Sequence, residues 1–351
     1  MAVITILGAG VMGSAMSLPA SDGGHMVRLV GTPLDRQIIE SVKSSGRHPR
    51  LGVKLPPVDA FDHSEFARAV GDDTDLIVLG VSSAGMAWAI DRLCETLSRA
   101  IPVLMITKGL HPSGDTIATL PDHLQAEVKR RRGLSLDIAA IGGPCIAGEL
   151  AARRHTSVVI TSRRYEFAEE LCTMLAGDYY HPHPSADIAG VEICAAFKNF
   201  FAIAVGYAVG SLERLPKAEN GAFNYNAAAI LFDQAIIEMM VITRHFGGED
   251  HSVWGMPGAG DLYVTCQAGR NSRLGQNLGR GLTYREIKAG PMKDETIEGA
   301  ELGITLAPVL EALTRPDAVD GAALPIARAL LDALVHDEPL RIPWDRLHAV
   351  H

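Results

Sequence analysis

The stretch VITILGAGVMG, residues 3–13, decides the fold of this chain. A short β-rich run leads directly into Gly8, Gly10 and Gly13, after which SAMSLPA can begin a helix. The first glycine permits a tight turn, the second lets the backbone approach a pyrophosphate, and the third lets the helix pack closely on the strand. The pattern predicts a dinucleotide-binding turn. Its predicted cofactor-binding residues are Gly8, Gly10, Val11, Met12 and Gly13.

Strand-like runs alternate with helical patterns through the first half of the chain. The runs are VITIL, MVRLV, DLIVLGV, PVLMIT, DIAAIG and TSVVIT. Because they are apolar almost throughout, they predict strands covered on both faces, as in a mostly parallel sheet. The strand signal stops after residues 179–187, where HPH (181–183) is interpreted as a linker. Its prolines and the missing third ligand disfavour a metal site.

Long, apolar helical patterns occupy the chain from Gly190 onward. The sequence therefore predicts an α/β Rossmann-type doubly wound domain over residues 1–188 and an all-α domain over residues 189–351. The polar segment 211–226 is predicted to be a loop inserted between two apolar helices.

Composition limits the classes of partner. The net charge of −9 and the pI of about 5.8 disfavour nucleic acid and acidic membranes, which are bound through concentrated Lys and Arg. Five scattered cysteines without CxxC or metal-ligand spacing indicate free thiols in a reducing cytoplasm and no metal. The N-terminus lacks a signal-peptide pattern and no uninterrupted apolar run approaches membrane-spanning length, so a cytoplasmic protein without a membrane span is expected.

The second predicted strand, MVRLV, ends without the acidic residue that normally holds the ribose hydroxyls of NAD. Gly31, Thr32 and Pro33 follow it instead. The sequence leaves both NAD and NADP open, with Arg36 as a candidate partner for the 2′-phosphate of NADP and Asp35 as a nearby acid that opposes this assignment.

A lysine lies in the middle of the apolar helical segment 190–210. The residues three and four positions from Lys198 along a helix cannot pair with an ammonium group. A buried, unpaired ammonium is costly, so Lys198 must meet an acid from elsewhere or line a cavity with a lowered pKa. Such a lysine is suited to general-base catalysis. The alternative is a lysine that reaches solvent from a half-exposed helix.

A second polar cluster, GAGDLYVTCQAGRN, spans residues 258–271. If a helix begins at Asp261, Thr265 lies on the same face, and Gly269 ends the helix so that the following Arg-Asn pair can return toward the same space. Arginine and threonine suit a phosphate, and Asp261 is a candidate partner for Lys198. The alternative is an ordinary capped helix with a solvated loop.

Several motifs in order resemble the NAD(P)-dependent sn-glycerol-3-phosphate dehydrogenases over nearly the whole chain. They are GAGVMG, HPRLGVKLPP, ITKG, GGPCIAGE, GVEIC with KN, GAGDLYVTC, GRN and IEG. The resemblance implies an oxidoreductase that interconverts sn-glycerol 3-phosphate and dihydroxyacetone phosphate with NAD or NADP. It also implies a helical domain like that of 6-phosphogluconate dehydrogenase, a phosphorylated polyol that bridges the two domains, and a homodimer.

The resemblance implies roles for individual residues. The residue matching Lys198 takes the proton from the C2 hydroxyl while hydride passes to the nicotinamide, and the residue matching Asp261 supports it. The implied substrate-binding residues are Lys108, Asn199, Thr265, Arg270 and Asn271. The implied cofactor-binding residues outside the glycine turn are Lys108, Gly143, Cys145, Ala147, Arg270 and Glu298.

Some positions depart from the family pattern. Cys145 replaces a serine, Asp233 and Gln234 lie where the family has an arginine, and the segment 211–226 is inserted after the lysine helix. These departures keep open a related dehydrogenase of another polyol or sugar phosphate. A third alternative is an NAD(P)-binding sensor without catalysis, which the presence of Lys198 disfavours, because a sensor does not need a buried base.

Overall fold

The chain forms two compact units. A computed structural model describes residues 1–216, 223–267, 269–315, 317–318 and 323–347. The first unit comprises Met1–Gly109 and Thr119–Ile188, and the second comprises Leu110–Ala118 and Ala189–His351. The second unit thus includes residues 110–118, which the sequence analysis assigned to the first domain. Residues 217–222 of the predicted inserted loop lie outside the described part.

The first unit contains a twisted, mostly parallel sheet. The strands of the chain are β1 (Val3–Leu7), β2 (Met26–Val30), β3 (Arg47–His48), β4 (Val53–Lys54), β5 (Asp59–Phe61), β6 (Leu76–Leu79), β7 (Val103–Met105), β8 (Leu110–Ser113), β9 (Thr116–Thr119), β10 (Ile138–Gly142), β11 (Thr156–Ser162) and β12 (Tyr180–Ser185). Eight of them form one sheet in the order β12-β11-β10-β7-β6-β1-β2-β5. All neighbours are parallel except β10 and β11. The reversal of strand order next to β1 is that of a doubly wound dinucleotide-binding sheet, so the predicted α/β Rossmann-type fold is confirmed.

Helices cover both faces of this sheet. They are α1 (Val11–Asp22), α2 (Arg36–Ser45), α3 (Phe66–Ala69), α4 (Met86–Thr96), α5 (Leu120–Arg132), α6 (Ala147–Ala151) and α7 (Tyr165–Leu175). On β1, Ile4 and Ile6 belong to one apolar cluster with Leu18 of α1. Leu7 belongs to a second cluster with Leu93 of α4. The continuous apolarity of the strands follows from this burial on two sides.

The HPH segment is a strand, so its interpretation as a linker is wrong. β12 pairs with β11 on one side only and forms the edge of the sheet. Pro182 and Pro184 lie two residues apart, so both backbone nitrogens face the unpaired side, where no ladder hydrogen bond is lost. The described residues contain no group of three or more His, Cys, Asp or Glu side chains that could hold a metal ion.

The described part of the second unit is helical except for the β8–β9 hairpin. Its helices are α8 (Ile188–Ser211), α9 (Tyr225–His245), α10 (Asp250–Trp254), α11 (Asp261–Gln267), α12 (Arg270–Gly279), α13 (Tyr284–Ala289), α14 (Glu298–Thr305), α15 (Ala307–Leu313) and α16 (Pro325–Val335). α8 is the central helix, and its Phe197, Phe200 and Phe201 are fully buried in one core cluster. The predicted helical class of the second domain is therefore confirmed.

Glycines bring the backbones of α8 and α12 into direct contact. They occur at a spacing of four on both helices: Gly206 and Gly210 on α8, Gly275 and Gly279 on α12. A Cβ atom on Gly210 would lie 1.9 Å from the carbonyl oxygen of Gln276, and one on Gly275 would lie 1.9 Å from that of Ile203. No side chain fits between the helices at these points, so the main chains themselves set the helix separation.

We expect Gly275→Ala to lower the free energy of unfolding by about 3 kcal/mol, because the new methyl group must push two helices apart. Gly148→Ala is the matched control. Gly148 is also helical, but a Cβ there meets nothing within 4 Å, so the expected change is within about 0.5 kcal/mol. Urea unfolding of the two variants measures the difference, and equal midpoints would contradict the close packing.

Among the residues that the structure describes, two helices are long and apolar enough to cross a membrane by length and composition. An 18-residue window of Ile188–Arg214 has a mean hydropathy of 1.7 and is 94% buried, and such a window of Tyr225–His245 has a mean hydropathy of 1.4 and is 39% buried. The first is the core helix of the second unit, which explains its composition. The second, α9, leaves part of its apolar surface uncovered.

A buried carboxylate connects α9 to the beginning of α16. The Glu238 side chain accepts hydrogen bonds from the backbone N–H groups of Ile326 and Ala327, both at 2.7 Å, and from the Gln234 amide at 3.2 Å. Complete burial raises the pKa of Glu238 to about 8, although these hydrogen bonds lower it. The carboxyl group thus titrates near neutral pH inside an apolar core.

Candidate active site

The glycine turn after β1 has the geometry of a phosphate cradle. Gly8 has a φ of +113°, and a Cβ there would lie 2.6 Å from the carbonyl oxygen of Gly80. A Cβ on Gly13 would lie 2.1 Å from the carbonyl oxygen of Gly8. Space is open around Gly10, where a Cβ would meet no atom within 4 Å. Gly8 and Gly13 thus allow tight packing, while Gly10 leaves bare backbone for a pyrophosphate. The residues of the turn therefore fit a dinucleotide.

Two side chains hold this turn from either side. The Ala9 N–H donates to the Asp35 carboxylate at 3.2 Å, and the Ala9 carbonyl lies 3.0 Å from His48 Nε2. Because the Leu51 N–H donates to His48 Nδ1 at 3.0 Å, Nε2 carries the proton and donates to Ala9. The sequence alone gives His48 no role, since Ala9 lies 39 positions from His48 and 26 positions from Asp35 in the chain.

Other predicted cofactor residues of the first unit follow strands of the same sheet. Lys108 comes after β7, and Gly143 comes directly after β10 with a φ of +126°. Cys145 is half-buried, and the buried Ala147 begins α6. Since β1, β7 and β10 run parallel, Gly8, Lys108 and Gly143 lie at the same edge of the sheet. This edge is where open α/β sheets bind ligands.

Lys198 of the second unit is buried and paired with an acid. Its side chain is 9% exposed, and its Nζ lies 2.5 Å from Asp261 Oδ1 and 3.2 Å from the Thr265 hydroxyl. Thr265 in turn donates to the main-chain carbonyl of Asp261 at 2.7 Å. Of the possibilities left open by the sequence, the structure shows an acid from another helix and excludes a solvent-exposed lysine.

The backbone before and after α11 explains how Asp261 and the following residues reach this position. A single π-helical turn, Met256–Gly260, precedes α11. A Cβ on Gly258 would lie 1.9 Å from the carbonyl oxygen of Val253, so this turn packs directly on the backbone of α10. After α11, Gly269 has a φ of +124° and redirects the chain into α12, as the sequence analysis predicted.

A chain of hydrogen bonds orients the two asparagines. The Asn199 amide nitrogen donates to Glu298 at 3.1 Å, and the Asn271 amide nitrogen donates to the Asn199 oxygen at 3.0 Å. The Gly299 N–H donates to the Asn271 oxygen at 2.9 Å. These hydrogen bonds therefore fix the orientation of both side-chain amides, with each oxygen accepting and each nitrogen donating. The sequence analysis placed Glu298 toward the cofactor and missed its contact with Asn199.

Arg270 lies at the first position of α12 and is half-exposed. Its guanidinium is 3.6 Å from Glu298, and both side chains are accessible to solvent. A surface ion pair of this length contributes little, so Arg270 can exchange Glu298 for a phosphate group. Contacts thus connect the predicted substrate and catalytic residues of the second unit in two groups. Asp261 and Thr265 contact Lys198. Asn271 contacts Asn199, and Arg270 contacts Glu298, which in turn binds Asn199.

Comparisons with known proteins place the chain in one family. Residues 3–168 match the family model for the N-terminus of NAD-dependent glycerol-3-phosphate dehydrogenase, and residues 187–342 match the model for its C-terminus. The NADP(+)-dependent glycerol-3-phosphate dehydrogenase of Archaeoglobus fulgidus is 34% identical over 284 residues, covering 81% of this chain and 82% of the relative. The chain belongs to the NAD-dependent glycerol-3-phosphate dehydrogenase family.

Further members of the glycerol-3-phosphate dehydrogenase family align over almost the full length. The glycerol-3-phosphate dehydrogenase [NAD(P)+] of Bacillus cereus is 28% identical and covers 95% of this chain and 92% of its own. The crystal structure of the Coxiella burnetii glycerol-3-phosphate dehydrogenase matches with a TM-score of 0.78 and 26% identity, covering 99% of this chain and 97% of that chain. The Plasmodium falciparum structure, at 18% identity and a TM-score of 0.81, supports the fold.

Proposed function

We propose that the chain interconverts sn-glycerol 3-phosphate and dihydroxyacetone phosphate with NAD or NADP, with Lys198 as the general base. The observation that carries the proposal is the buried contact of 2.5 Å between Lys198 and Asp261. This pair lies beside Thr265. Asn199, the residue after Lys198 on α8, is held by two hydrogen bonds. A buried base next to groups that suit a phosphate is what oxidation of a phosphorylated secondary alcohol requires.

The lysine changes its charge during the proposed reaction. In alcohol oxidation, the neutral amine of Lys198 accepts the proton of the C2 hydroxyl, and Asp261 stabilises the ammonium group that forms. In the reverse direction, the ammonium group returns that proton to the carbonyl oxygen. The Thr265 hydroxyl, at 3.2 Å, helps to fix the direction of Nζ. When bound, the nicotinamide cofactor supplies the hydride chemistry.

The proposed ligands of the substrate phosphate and of the cofactor share Lys108 and Arg270. The guanidinium of Arg270 can leave Glu298 and offer a planar pair of N–H donors to the phosphate. The remaining proposed substrate ligands are Lys108, Asn199, Thr265 and Asn271. The proposed cofactor ligands are Gly8, Gly10, Val11, Met12, Gly13, Lys108, Gly143, Cys145, Ala147, Arg270 and Glu298.

The proposed reaction is tested by following NADH and NADPH absorbance with dihydroxyacetone phosphate and a panel of ketose and aldose phosphates. We expect the highest kcat/KM with dihydroxyacetone phosphate, because the family membership points to this substrate. Faster turnover of a larger sugar phosphate would instead support the related polyol phosphate dehydrogenase. Tight cofactor binding without turnover of any compound would support the sensor.

A homodimer and a cytoplasmic location complete the proposal. α9 supports the homodimer, because only 39% of an apolar 18-residue window of this helix is buried within one chain. Its Ile230, Ile237 and Val241 are partly exposed and lie near one another on one helix face. The odd number of cysteines supports a reducing compartment. The proposed substrate partner is a small phosphorylated polyol, and nucleic acid is not a proposed partner.

A further inference from the structure

A buried histidine joins the β3–β4 hairpin to the glycine turn. His48 ends β3 and is 0% exposed. Its neutral ring donates from Nε2 to the Ala9 carbonyl at 3.0 Å and accepts the Leu51 N–H at Nδ1, also at 3.0 Å. The first hydrogen bond reaches the turn after β1, whereas the second stays within the hairpin. The two ring nitrogens therefore have separate partners, one in the turn and one in the hairpin.

The main chain of Ala9 is held at both of its polar groups. Its carbonyl accepts a second hydrogen bond from the Ser14 hydroxyl at 3.1 Å, and its N–H donates to Asp35 at 3.2 Å. Ala9 lies between Gly8 and Gly10, and glycines leave the backbone free to rotate on either side. Because a trans peptide group is planar, its C=O and the following N–H point in opposite directions. A fixed Ala9 carbonyl thus fixes the direction of the Gly10 N–H.

The direction of this N–H matters because the backbone is bare at Gly10. A Cβ there would meet no atom within 4 Å, so a phosphate can approach the main chain. A pyrophosphate is bound by backbone N–H groups of such a turn and of the helix that follows it. We propose that His48 is a positioning residue for the dinucleotide, because its Nε2–H holds the Ala9–Gly10 peptide group in the orientation that binds the pyrophosphate. This inference rests on the proposed function only in that a dinucleotide binds at the glycine turn.

Two substitutions separate this role from a merely structural one. His48→Gln keeps the donor, since its amide nitrogen takes the place of Nε2, but it has no acceptor in reach of the Leu51 N–H. His48→Asn keeps the acceptor, since its amide oxygen takes the place of Nδ1, but it is too short to reach Ala9. Each variant loses one buried hydrogen bond, so we expect similar midpoints in urea unfolding. Cofactor binding should differ, because only His48→Asn releases the Ala9 carbonyl from the hairpin.

The test is fluorescence titration of the purified proteins with NADH and NADPH, without substrate. We expect His48→Asn to weaken the binding of both nucleotides by about 10-fold, and His48→Gln by no more than about threefold. ADP-ribose carries the same pyrophosphate without a nicotinamide, so its affinity, measured by displacement of NADH, should fall equally in His48→Asn. The control is His155→Asn, which changes an exposed histidine of the same unit and should alter none of these affinities.

Turnover separates binding from chemistry. In His48→Asn the KM for the cofactor should rise by about 10-fold, while kcat with dihydroxyacetone phosphate at saturating cofactor stays within about twofold. Equal cofactor affinities of His48→Asn and His48→Gln, or a loss of kcat without a loss of affinity, would overturn the proposal. The expected pattern of affinities in a protein without turnover would count against the proposed reaction and leave the role of His48 intact.

Discussion

Replacing Lys198 with methionine is expected to lower kcat for reduction of dihydroxyacetone phosphate by at least about 1,000-fold, while NADPH affinity stays within about twofold. The unbranched methionine keeps an apolar stem in the buried helix α8 but removes the amine that we propose donates and accepts the proton. Lys288→Met is the control, because Lys288 lies on α13 of the same unit and contacts only the Glu295 carbonyl among the hydrogen bonds described. It should retain a near-normal rate.

The loss of the cation also leaves Asp261 as a buried charge without its lysine, which costs about 3 kcal/mol of stability. The double variant Lys198→Met/Asp261→Asn separates the two effects, because it removes the buried charge of Asp261 but does not restore the base. We expect the double variant to regain stability in urea unfolding and to remain inactive. A near-normal kcat in the single or the double variant would show that Lys198 is not the general base.

The free energy of unfolding is expected to fall as pH rises from about 5 to 9, with a contribution of about 4 kcal/mol from Glu238 alone. The folded-state pKa of about 8 exceeds the ordinary value of 4.5. Over this interval the folded state holds a proton that the unfolded state has released, so stability decreases with pH. The contribution is complete below the unfolded pKa and is lost as pH rises through the folded pKa.

Two variants isolate Glu238 from the other titrating groups. Glu238→Gln removes the titrating group, so its free energy of unfolding should fall less than that of the wild type between pH 5 and pH 9. Near pH 5 it should be less stable than the wild type, because the amide nitrogen cannot accept the hydrogen bond that one of the two backbone N–H groups donates to the carboxyl group. Gln234→Arg places a cation one turn away from Glu238 and should also flatten the decrease, because it stabilises the ionised carboxylate. Since Gln234 is buried, this variant is expected to be less stable than the wild type at every pH, and only the pH dependence is compared. Urea unfolding at several pH values measures both effects. Parallel curves for Glu238→Gln and the wild type would show that another group causes the slope.

The sequence predicts those parts of the molecule that depend on local backbone chemistry. The glycine turn after β1 is predictable because its spacing reflects contacts within a few residues, such as Gly13 against Gly8. The start of α11 at Asp261 and the break at Gly269 are predictable for the same reason. The burial of Lys198 follows from the apolarity of its own helix.

Contacts between distant segments are less accessible from one sequence. Asp35 and His48 are ordinary polar residues until tertiary structure brings them to opposite sides of Ala9. The contact of Glu298 with Asn199 joins residues 99 positions apart. The strand β12 was missed because prolines disfavour internal strands, whereas an edge strand tolerates them on its unpaired side. The assignment of residues 110–118 to the second unit likewise depends on packing and leaves no local signal.

The glycine contact between α8 and α12 has a consequence for how this enzyme can change during evolution. Lys198 and Asn199 lie on one of these helices, and Arg270 and Asn271 begin the other, so main-chain atoms fix the spacing of the groups proposed to act on the substrate. Substitutions of other side chains around these groups can change which substrate fits without disturbing that spacing. New polyol phosphates can therefore be accommodated while the proposed proton-transfer groups keep their positions.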